Sequence, residues 1–292
     1  MKSILIFLGV YFGIINASFS QSQSDSINNK FLNRVIITEA SLYSVSMIGL
    51  GAVWYQGNEN QKFQFFNDNQ QWLQMDKAGH IYSAYHISNL NFNLLQKSGY
   101  TPKKAMLFSS ISASLMMLPI EIFDGFSTAY GASVGDAVAN TIGAFLPYQQ
   151  LLFNQNYIYP KFSFSRTNYA DLRPNTLGSN YIENILKDYN GQTYWLSTDF
   201  NLFSSQNRFP NWLQFSIGYS GNNMLYGNPD QNLENGYLAN RQWFLSLDLN
   251  LEKIESNKKW VKTALAVINI IKIPFPTVEW NGKTVILHPI YF

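Results

Sequence analysis

The chain contains no cysteine. This absence excludes disulfide bonds, thiolate metal ligands and cysteine nucleophiles. It also excludes acylation of an N-terminal cysteine, the usual lipid attachment of a lipoprotein. Charge is scarce as well, since only 13% of the 292 residues are charged, against about 25% in an average soluble protein. We therefore expect much of the protein surface to be covered by lipid or by a partner.

The charges that are present also limit the possible partners. The net charge is only +2, and the 20 lysine and arginine residues are scattered along the sequence. Proteins that bind nucleic acid concentrate basic residues on one surface, because they must neutralise a row of phosphates. We therefore expect no nucleic-acid partner.

Residues 1–20 have the layout of a secretory signal peptide. Lys2 supplies a positive charge, residues 4–15 form an apolar run, and the small residues Ser18 and Ser20 follow. A signal anchor is the alternative, but the apolar run is shorter than the roughly 20 residues that a membrane-spanning helix needs. We expect an exported, periplasmic protein that associates with the outer membrane.

A polar leader at residues 21–35 precedes a helical domain at residues 36–156. Four segments of this domain have the length and composition of helices: 36–55, 76–97, 102–122 and 133–152. Capping signals mark the starts of the last three: Asp76, Thr101, and the capping-box pair Ser133 and Asp136. Because polar residues interrupt every segment, we expect a membrane-associated bundle instead of four membrane-spanning helices.

Residues 157–292 change to a period of two residues, which is typical of β-strands. Apolar and polar residues alternate at 211–221 and 241–252, and more weakly at 193–203. Asn281-Gly282 predicts a two-residue hairpin turn. We count about six strands, fewer than the eight of the smallest membrane barrel. The expected fold class is therefore α+β, with a four-helix bundle followed by an antiparallel sheet or partial barrel.

Three acids stand in a long stretch that has no basic residue. Glu121, Asp124 and Asp136 are the charged residues between positions 105 and 160. Buried carboxylates need a cation, because desolvation of an unpaired charge costs several kcal/mol. The sequence offers Lys77 and His80 as protein cations, and a divalent metal ion is the other possibility.

Spacing places these residues at one end of the predicted bundle. Asp76 and His80 share one helix face, and Ser133, Asp136 and Asn140 share another. With helices that alternate in direction, the start of the second, the end of the third and the start of the fourth fall together. The candidate site therefore consists of the following residues: His80, Glu121, Asp124 and Asp136, supported by Asp76, Lys77, Ser133 and Asn140.

The same residues carry a resemblance to known families. They lie in the strings DKAGH at 76–80, EIFDGFS at 121–127 and YGAS at 130–133, followed by Asp136 and Asn140. This order of motifs resembles the YfiM-like family of predicted periplasmic lipoproteins, a domain of unknown function, and is similar to VanZ-like membrane proteins. The resemblance covers roughly residues 36–155. It implies a periplasmic helical domain but no particular activity.

Two classes of function fit these observations. The first is a non-enzymatic envelope protein whose Asp/His/Glu network fixes the bundle, while the β-region docks to the outer membrane or to a protein there. The alternative is a hydrolase or transferase that acts on a lipid or lipid-linked glycan, with His80 as general base or metal ligand. Neither requires an organic cofactor. His86 and His288 have no obvious partners in the sequence and are expected to be structural or exposed.

Overall fold

The computed structural model describes residues 27–54, 61–203 and 209–292. The predicted signal peptide, residues 1–20, lies outside the described residues, as do residues 21–26 of the polar leader. The chain forms two compact units. The first combines residues up to 67 with residues 83–151, and the second combines residues 68–82 with residues 152–292. The expected α+β class is confirmed, with helices in the N-terminal half and an antiparallel sheet after them.

The first unit is built from helices. One of these helices begins in the second unit and ends in the first. In chain order they are α1 (Asn29–Trp54), α2 (Met75–Lys97), α3 (Pro102–Phe126), α4 (Val134–Phe145) and α5 (Gln149–Phe153). Helix α1 begins seven residues before the expected start at 36. The segment expected as one helix at 133–152 is divided by a 3-10 turn, Leu146–Tyr148. Pro147 explains the division, since it cannot donate the helical backbone hydrogen bond.

The helix caps predicted from the sequence are confirmed in part. Ser133 caps α4, because its Oγ accepts a hydrogen bond of 3.1 Å from the backbone N–H of Asp136. Thr101 occupies the cap position of α3, but its hydroxyl makes no capping bond. The expectation that Asp76 caps α2 is wrong. Helix α2 begins at Met75, so Asp76 lies inside its first turn.

Small side chains let α2, α3 and α4 approach closely in the first unit. Ala84, Ala113, Met117 and Ala144 form one buried cluster there. Helix α1 contributes Leu32 to a second cluster, while four of its aliphatic side chains are exposed: Ile37, Leu42, Val45 and Ile48. By length and composition alone, α1 and α3 are long and apolar enough to cross a membrane.

The second unit is built on one six-stranded antiparallel sheet. Its strands are β1 (Ile158–Phe164), β2 (Gln192–Asp199), β3 (Leu213–Asn222), β4 (Asn240–Leu249), β5 (Phe275–Trp280) and β6 (Val285–Tyr291). They lie side by side in chain order, each antiparallel to the next. Short helices fill the connections: α6 (Tyr169–Leu172), α7 (Pro174–Leu177), α8 (Tyr181–Lys187), α9 (Pro229–Glu234) and α10 (Lys259–Ile268).

The final hairpin differs from its prediction. Trp280 pairs with Val285, so residues 281–284 form a four-residue connection instead of a two-residue Asn281-Gly282 turn. The side chain of Asn281 explains the difference, because its Oδ1 accepts hydrogen bonds from the backbone N–H groups of Lys283 and Thr284.

The sheet curves so that its two outer strands come together. The Oγ of Ser165, just after β1, donates to the carbonyl of Phe292, just after β6. The Thr193 and Tyr291 hydroxyls are 3.0 Å apart. The other edge of β1 is paired as well, since the Lys272 N–H donates to the Phe162 carbonyl over 2.9 Å. One face of the sheet is therefore enclosed, and the opposite face is turned outward.

Candidate functional site

The first unit brings the predicted site residues Glu121, Ser133 and Asp136 together. Glu121 is buried near the end of α3, and its Oε2 accepts a hydrogen bond of 3.3 Å from the backbone N–H of Ser133. A carboxylate oxygen of Glu121 lies within 4.8 Å of one of Asp136. Asn140 is buried one turn further along α4. The short connection between α3 and α4 thus sets two carboxylates beside each other.

Asp124 takes part in a different interaction. Burial and, to a smaller extent, the negative charge of Asp124 together raise the pKa of Tyr130 to about 12. Asp124 is half-buried and close enough to influence this hydroxyl. Its role as a ligand or acid at the Glu121–Asp136 pair stays a prediction.

The second unit holds the predicted residues from the start of α2. The Nζ of Lys77 lies 2.6 Å from Asp68 Oδ1 and 3.0 Å from Asp76 Oδ2. Asp68 was not predicted from the sequence, because it precedes the helix and belongs to no motif. His80 is half-buried one helical turn after Asp76. The gathering of His80 with the acids of the first unit stays a prediction.

An unusual backbone turn orients the start of α2. Trp72, Leu73 and Gln74 have φ values of 47°, 50° and 64°, in the left-handed region that non-glycine residues rarely occupy. Such residues cost about 1–3 kcal/mol each and persist where surrounding structure imposes them. Here the Trp72 N–H donates to the Gly227 carbonyl over 2.9 Å, and Tyr219 donates to the Leu73 carbonyl.

Glycine at position 227 lets this turn form. A Cβ atom there would lie 2.6 Å from Nε1 of Trp72, which is too close for any side chain. Arg241 adds a hydrogen bond of 2.7 Å to the Gln74 side chain. The sheet unit therefore holds the chain in a strained conformation immediately before Asp76.

The enclosed face of the sheet carries a network of buried charges beside the buried rings of Trp195 and Phe244. Lys161, Asp248 and Lys272 are completely buried there. The Nζ of Lys161 is 2.9 Å from Asp248 Oδ2, and that of Lys272 is 3.9 Å from Asp248 Oδ1. Ser197 donates to the same carboxylate over 2.7 Å. Burial lowers the pKa of Lys272 to about 8, although the charge of Asp248 opposes the change.

The outward face is apolar, which inverts the usual arrangement of a soluble sheet. One row of aliphatic side chains runs in register across five strands: Leu196, Ile217, Leu245, Val278 and Leu287. Leu245 is 47% exposed and Leu287 is 75% exposed, whereas Ser216 and Asp248 on the enclosed face are 0% exposed.

Aromatic residues border this outward face at one end, and an exposed tryptophan lies just before β3 at the other. In the next row, Tyr219 pairs with Trp243, and Trp243 pairs with Trp280. At the other end Trp212 precedes β3, and its carbonyl accepts a hydrogen bond from Asn250 just after β4. Trp212, Trp243 and Trp280 are all well exposed. We call the outward surface of β3–β6 between these borders the apolar face.

A histidine–carboxylate pair on the enclosed face was also missed by the sequence analysis. The Nε2 of His288 lies 2.7 Å from Glu279 Oε2, and the Gln242 amide donates to Glu279 Oε1 over 2.6 Å. His288 was expected to have no comparable partner. Its partner is on the neighbouring strand, so only the strand register reveals it.

Comparison with known proteins assigns part of the chain. Residues 64–152 match a family model described as predicted periplasmic lipoprotein (DUF2279). The match contains every site residue predicted from the sequence, and it confirms the resemblance to a predicted periplasmic lipoprotein family of unknown function. It supports an exported, periplasmic location. No curated protein and no solved structure is significantly similar to the chain.

Proposed function

We propose that this protein is a non-enzymatic periplasmic envelope protein that docks to the outer membrane through the apolar face of its sheet. The observation that carries the proposal is the inverted pattern of the strands. Every second residue of β4 between Trp243 and Leu247 is apolar and exposed, while Phe244 and Ser246 between them are buried. Strands with apolar residues outward and polar residues inward are typical of outer-membrane proteins.

The dimensions of the apolar face fit a lipid surface. Trp243 and Leu249 are six residues apart on β4, which corresponds to about 20 Å of strand. The apolar band of outer-membrane strands is about 25 Å tall, with aromatic residues at both limits. Tyrosine and tryptophan favour the headgroup level, because their rings are apolar and their polar groups remain hydrated.

The edge of β6 favours docking over full insertion. In the described part of the chain, β6 pairs with β5 alone, so its other backbone edge is not paired within the sheet. Unpaired backbone groups in hydrocarbon cost several kcal/mol each. The apolar face therefore rests against lipid while the edge of β6 stays at the interface.

A vesicle-binding experiment tests the membrane proposal. Leu245 lies in the central row of the apolar face, and moving a leucine side chain from water into an apolar environment contributes about 1.5–3 kcal/mol, which an arginine there would lose. We expect Leu245→Arg in the full chain to reduce partitioning into phospholipid vesicles at least about tenfold, measured by flotation. Leu233→Arg is the matched control, since Leu233 is also exposed but lies in α9, away from the sheet face. Equal partitioning of both variants and the wild type would exclude a lipid contact at the apolar face.

We propose further that Glu121 and Asp136 hold a divalent cation in the first unit. The proximity of the two buried carboxylates supports this proposal, because carboxylate oxygens are preferred ligands of divalent ions. His80 as a third ligand is the expectation from helix spacing, and an imidazole would favour Zn²⁺ among these ions.

Zinc titration of the purified full chain tests this second proposal. We expect stoichiometric Zn²⁺ binding by calorimetry that Glu121→Gln, Asp136→Asn and His80→Ala each weaken at least about tenfold. Asp171→Asn removes an exposed carboxylate and should bind like the wild type. Absence of Zn²⁺ binding by the wild type would contradict the metal site and leave Glu121 and Asp136 as members of a polar network in the bundle.

A further inference from the structure

Helix α10 has no buried residue although it is ten residues long. Helices of this length are marginal in water, and most helices in proteins are stabilised by packing of an apolar face. Trp260 is 71% exposed, and Val267 and Ile268 are also exposed. At 100° per residue these three side chains fall on one side of the helix. The outer apolar stripe of α10 is therefore not covered by the rest of the unit.

Basic residues accompany this stripe. Lys258, Lys259 and Lys262 are exposed, and the segment 258–268 contains no acidic residue. Three positive charges in eleven residues contrast with a net charge of +2 for the whole chain. Glu252 and Glu255 precede the helix, and the Asn269 amide donates to Glu252 over 3.3 Å. The start of α10 is therefore a local positive patch next to an exposed tryptophan.

The position of α10 connects it to the apolar face. The Oδ1 of Asn269, just after the helix, accepts a hydrogen bond of 2.9 Å from the backbone N–H of Leu251, just after β4. The next residues pair with β1, where the Phe162 N–H donates to the Ile270 carbonyl over 3.1 Å. The end of α10 is thus fixed to the sheet, at the same border that carries Trp212.

We propose that α10 lies in the headgroup layer of the membrane and binds anionic phospholipids through Lys258, Lys259 and Lys262, with Trp260 as its apolar anchor. This inference rests on the proposed docking of the apolar face and adds a lipid selectivity to it. Interfacial helices combine lysines on a polar side with tryptophan and aliphatic residues on the other. Their lysines interact with the negative surface potential of anionic lipids, and salt screens this attraction.

Flotation with two vesicle compositions tests the selectivity. The full chain is mixed with phosphatidylcholine vesicles that either contain or lack phosphatidylglycerol, at low and at high salt. We expect tighter binding to the vesicles with phosphatidylglycerol, and a loss of this difference at high salt. Replacing all three lysines with glutamine should weaken binding to the anionic vesicles on the order of a hundredfold, with little change on the neutral ones.

Two further variants make the result specific. A triple glutamine variant of Lys30, Lys97 and Lys103 removes the same charge from exposed positions of the first unit and should bind like the wild type. Trp260→Ser should weaken binding to both kinds of vesicle, because it removes apolar contact and not charge.

The outcomes separate this inference from the proposal on which it rests. If the wild type binds both compositions equally and the α10 lysine variant binds like it, the lipid selectivity is overturned while membrane docking stands. If both lysine triples weaken binding equally, the effect is one of net charge and the role of α10 is overturned. If the wild type binds neither composition, membrane docking itself fails.

Discussion

Asp248 lies between two lysines that are completely buried on the enclosed face of the sheet. Removing one member of a buried ion pair leaves an uncompensated charge and costs about 3–5 kcal/mol. Asp248→Asn leaves both Lys161 and Lys272 without their counter-charge. We therefore expect this substitution to lower the free energy of unfolding by about 3–5 kcal/mol, measured by urea denaturation of the full chain.

An exposed ion pair provides the comparison. Arg166 and Asp171 lie 3.1 Å apart, but their side chains are 59% and 66% exposed. Exposed pairs contribute about 0–1 kcal/mol, so Asp171→Asn should change the unfolding free energy by less than about 1 kcal/mol. Equal losses for Asp171→Asn and Asp248→Asn would show that burial does not determine the cost.

Lys272 should make stability depend on pH in the alkaline range. Burial lowers its pKa from the ordinary 10.5 to about 8. Between these values the unfolded chain keeps the proton that the folded chain has released, so the stability contributed by this residue rises with pH. Below about pH 8 both states are protonated and the contribution is constant. The buried Lys161, whose pKa burial also lowers, acts in the same direction.

The variant Lys272→Met isolates this contribution. Urea denaturation at several pH values should show that the wild type gains stability relative to the variant between about pH 8 and pH 10.5, and that the difference is flat from pH 6 to 7.5. A difference that stays constant across the whole range would mean that Lys272 has the same pKa in both states.

At the scale of single elements, two helix caps that look alike in the sequence differ in the structure. Ser133 caps α4 with a hydrogen bond to the Asp136 N–H, whereas the Thr101 hydroxyl makes no capping bond at α3. Loss of a capping hydrogen bond costs about 0.5–2 kcal/mol. We expect Ser133→Ala to destabilise the protein by about 1 kcal/mol and Thr101→Ala to have a much smaller effect, measured by thermal unfolding. The reverse order would contradict the observed hydrogen bonds.

Local signals explain which elements could be predicted from the sequence. The strands at 213–222 and 240–249 were found because their side chains alternate with a period of two residues. The start of α4 was found because its capping box lies within four residues. The left-handed turn at Trp72 was not predictable, since neither tryptophan nor leucine signals a positive φ. The surrounding sheet unit imposes that conformation, and only the folded chain reveals it.

The same distinction applies to the candidate sites. Glu121 and Asp136 were predicted together because helices that alternate in direction bring the end of the third helix next to the start of the fourth. The partners Lys161 and Asp248 are far apart in the sequence and meet through the curvature of the sheet. The pair formed by His288 and Glu279 depends on a strand register that shifts nearby, between Phe275 and Thr277. Sequence spacing carries no information about such pairs.

At the scale of the whole molecule, the enclosed sheet face explains part of the low surface charge. Several of the few charged residues are buried there, among them Lys161, Asp248, Lys272 and Glu279. The outward face receives aliphatic and aromatic residues instead. The scarcity of charge in the sequence led us to expect a surface covered by lipid or by a partner, but it could not indicate that a sheet would carry exposed apolar side chains. The sequence showed that apolar and polar residues alternate along β4, but it did not show which of the two sets faces inward.

Limited proteolysis of the whole protein tests whether α10 lies at the membrane surface. A helix without buried residues opens locally at low cost, so trypsin should cleave the vesicle-free chain after Lys258, Lys259 or Lys262. Binding to anionic vesicles at about ten times the dissociation constant should slow this cleavage roughly tenfold, because lipid stabilises the closed form. Lys97, the last residue of α2, and Lys103, in the first turn of α3, serve as internal controls whose cleavage should keep its rate. Uniform slowing at all sites would indicate that vesicles inhibit trypsin, and unchanged cleavage at α10 would contradict its place at the membrane surface.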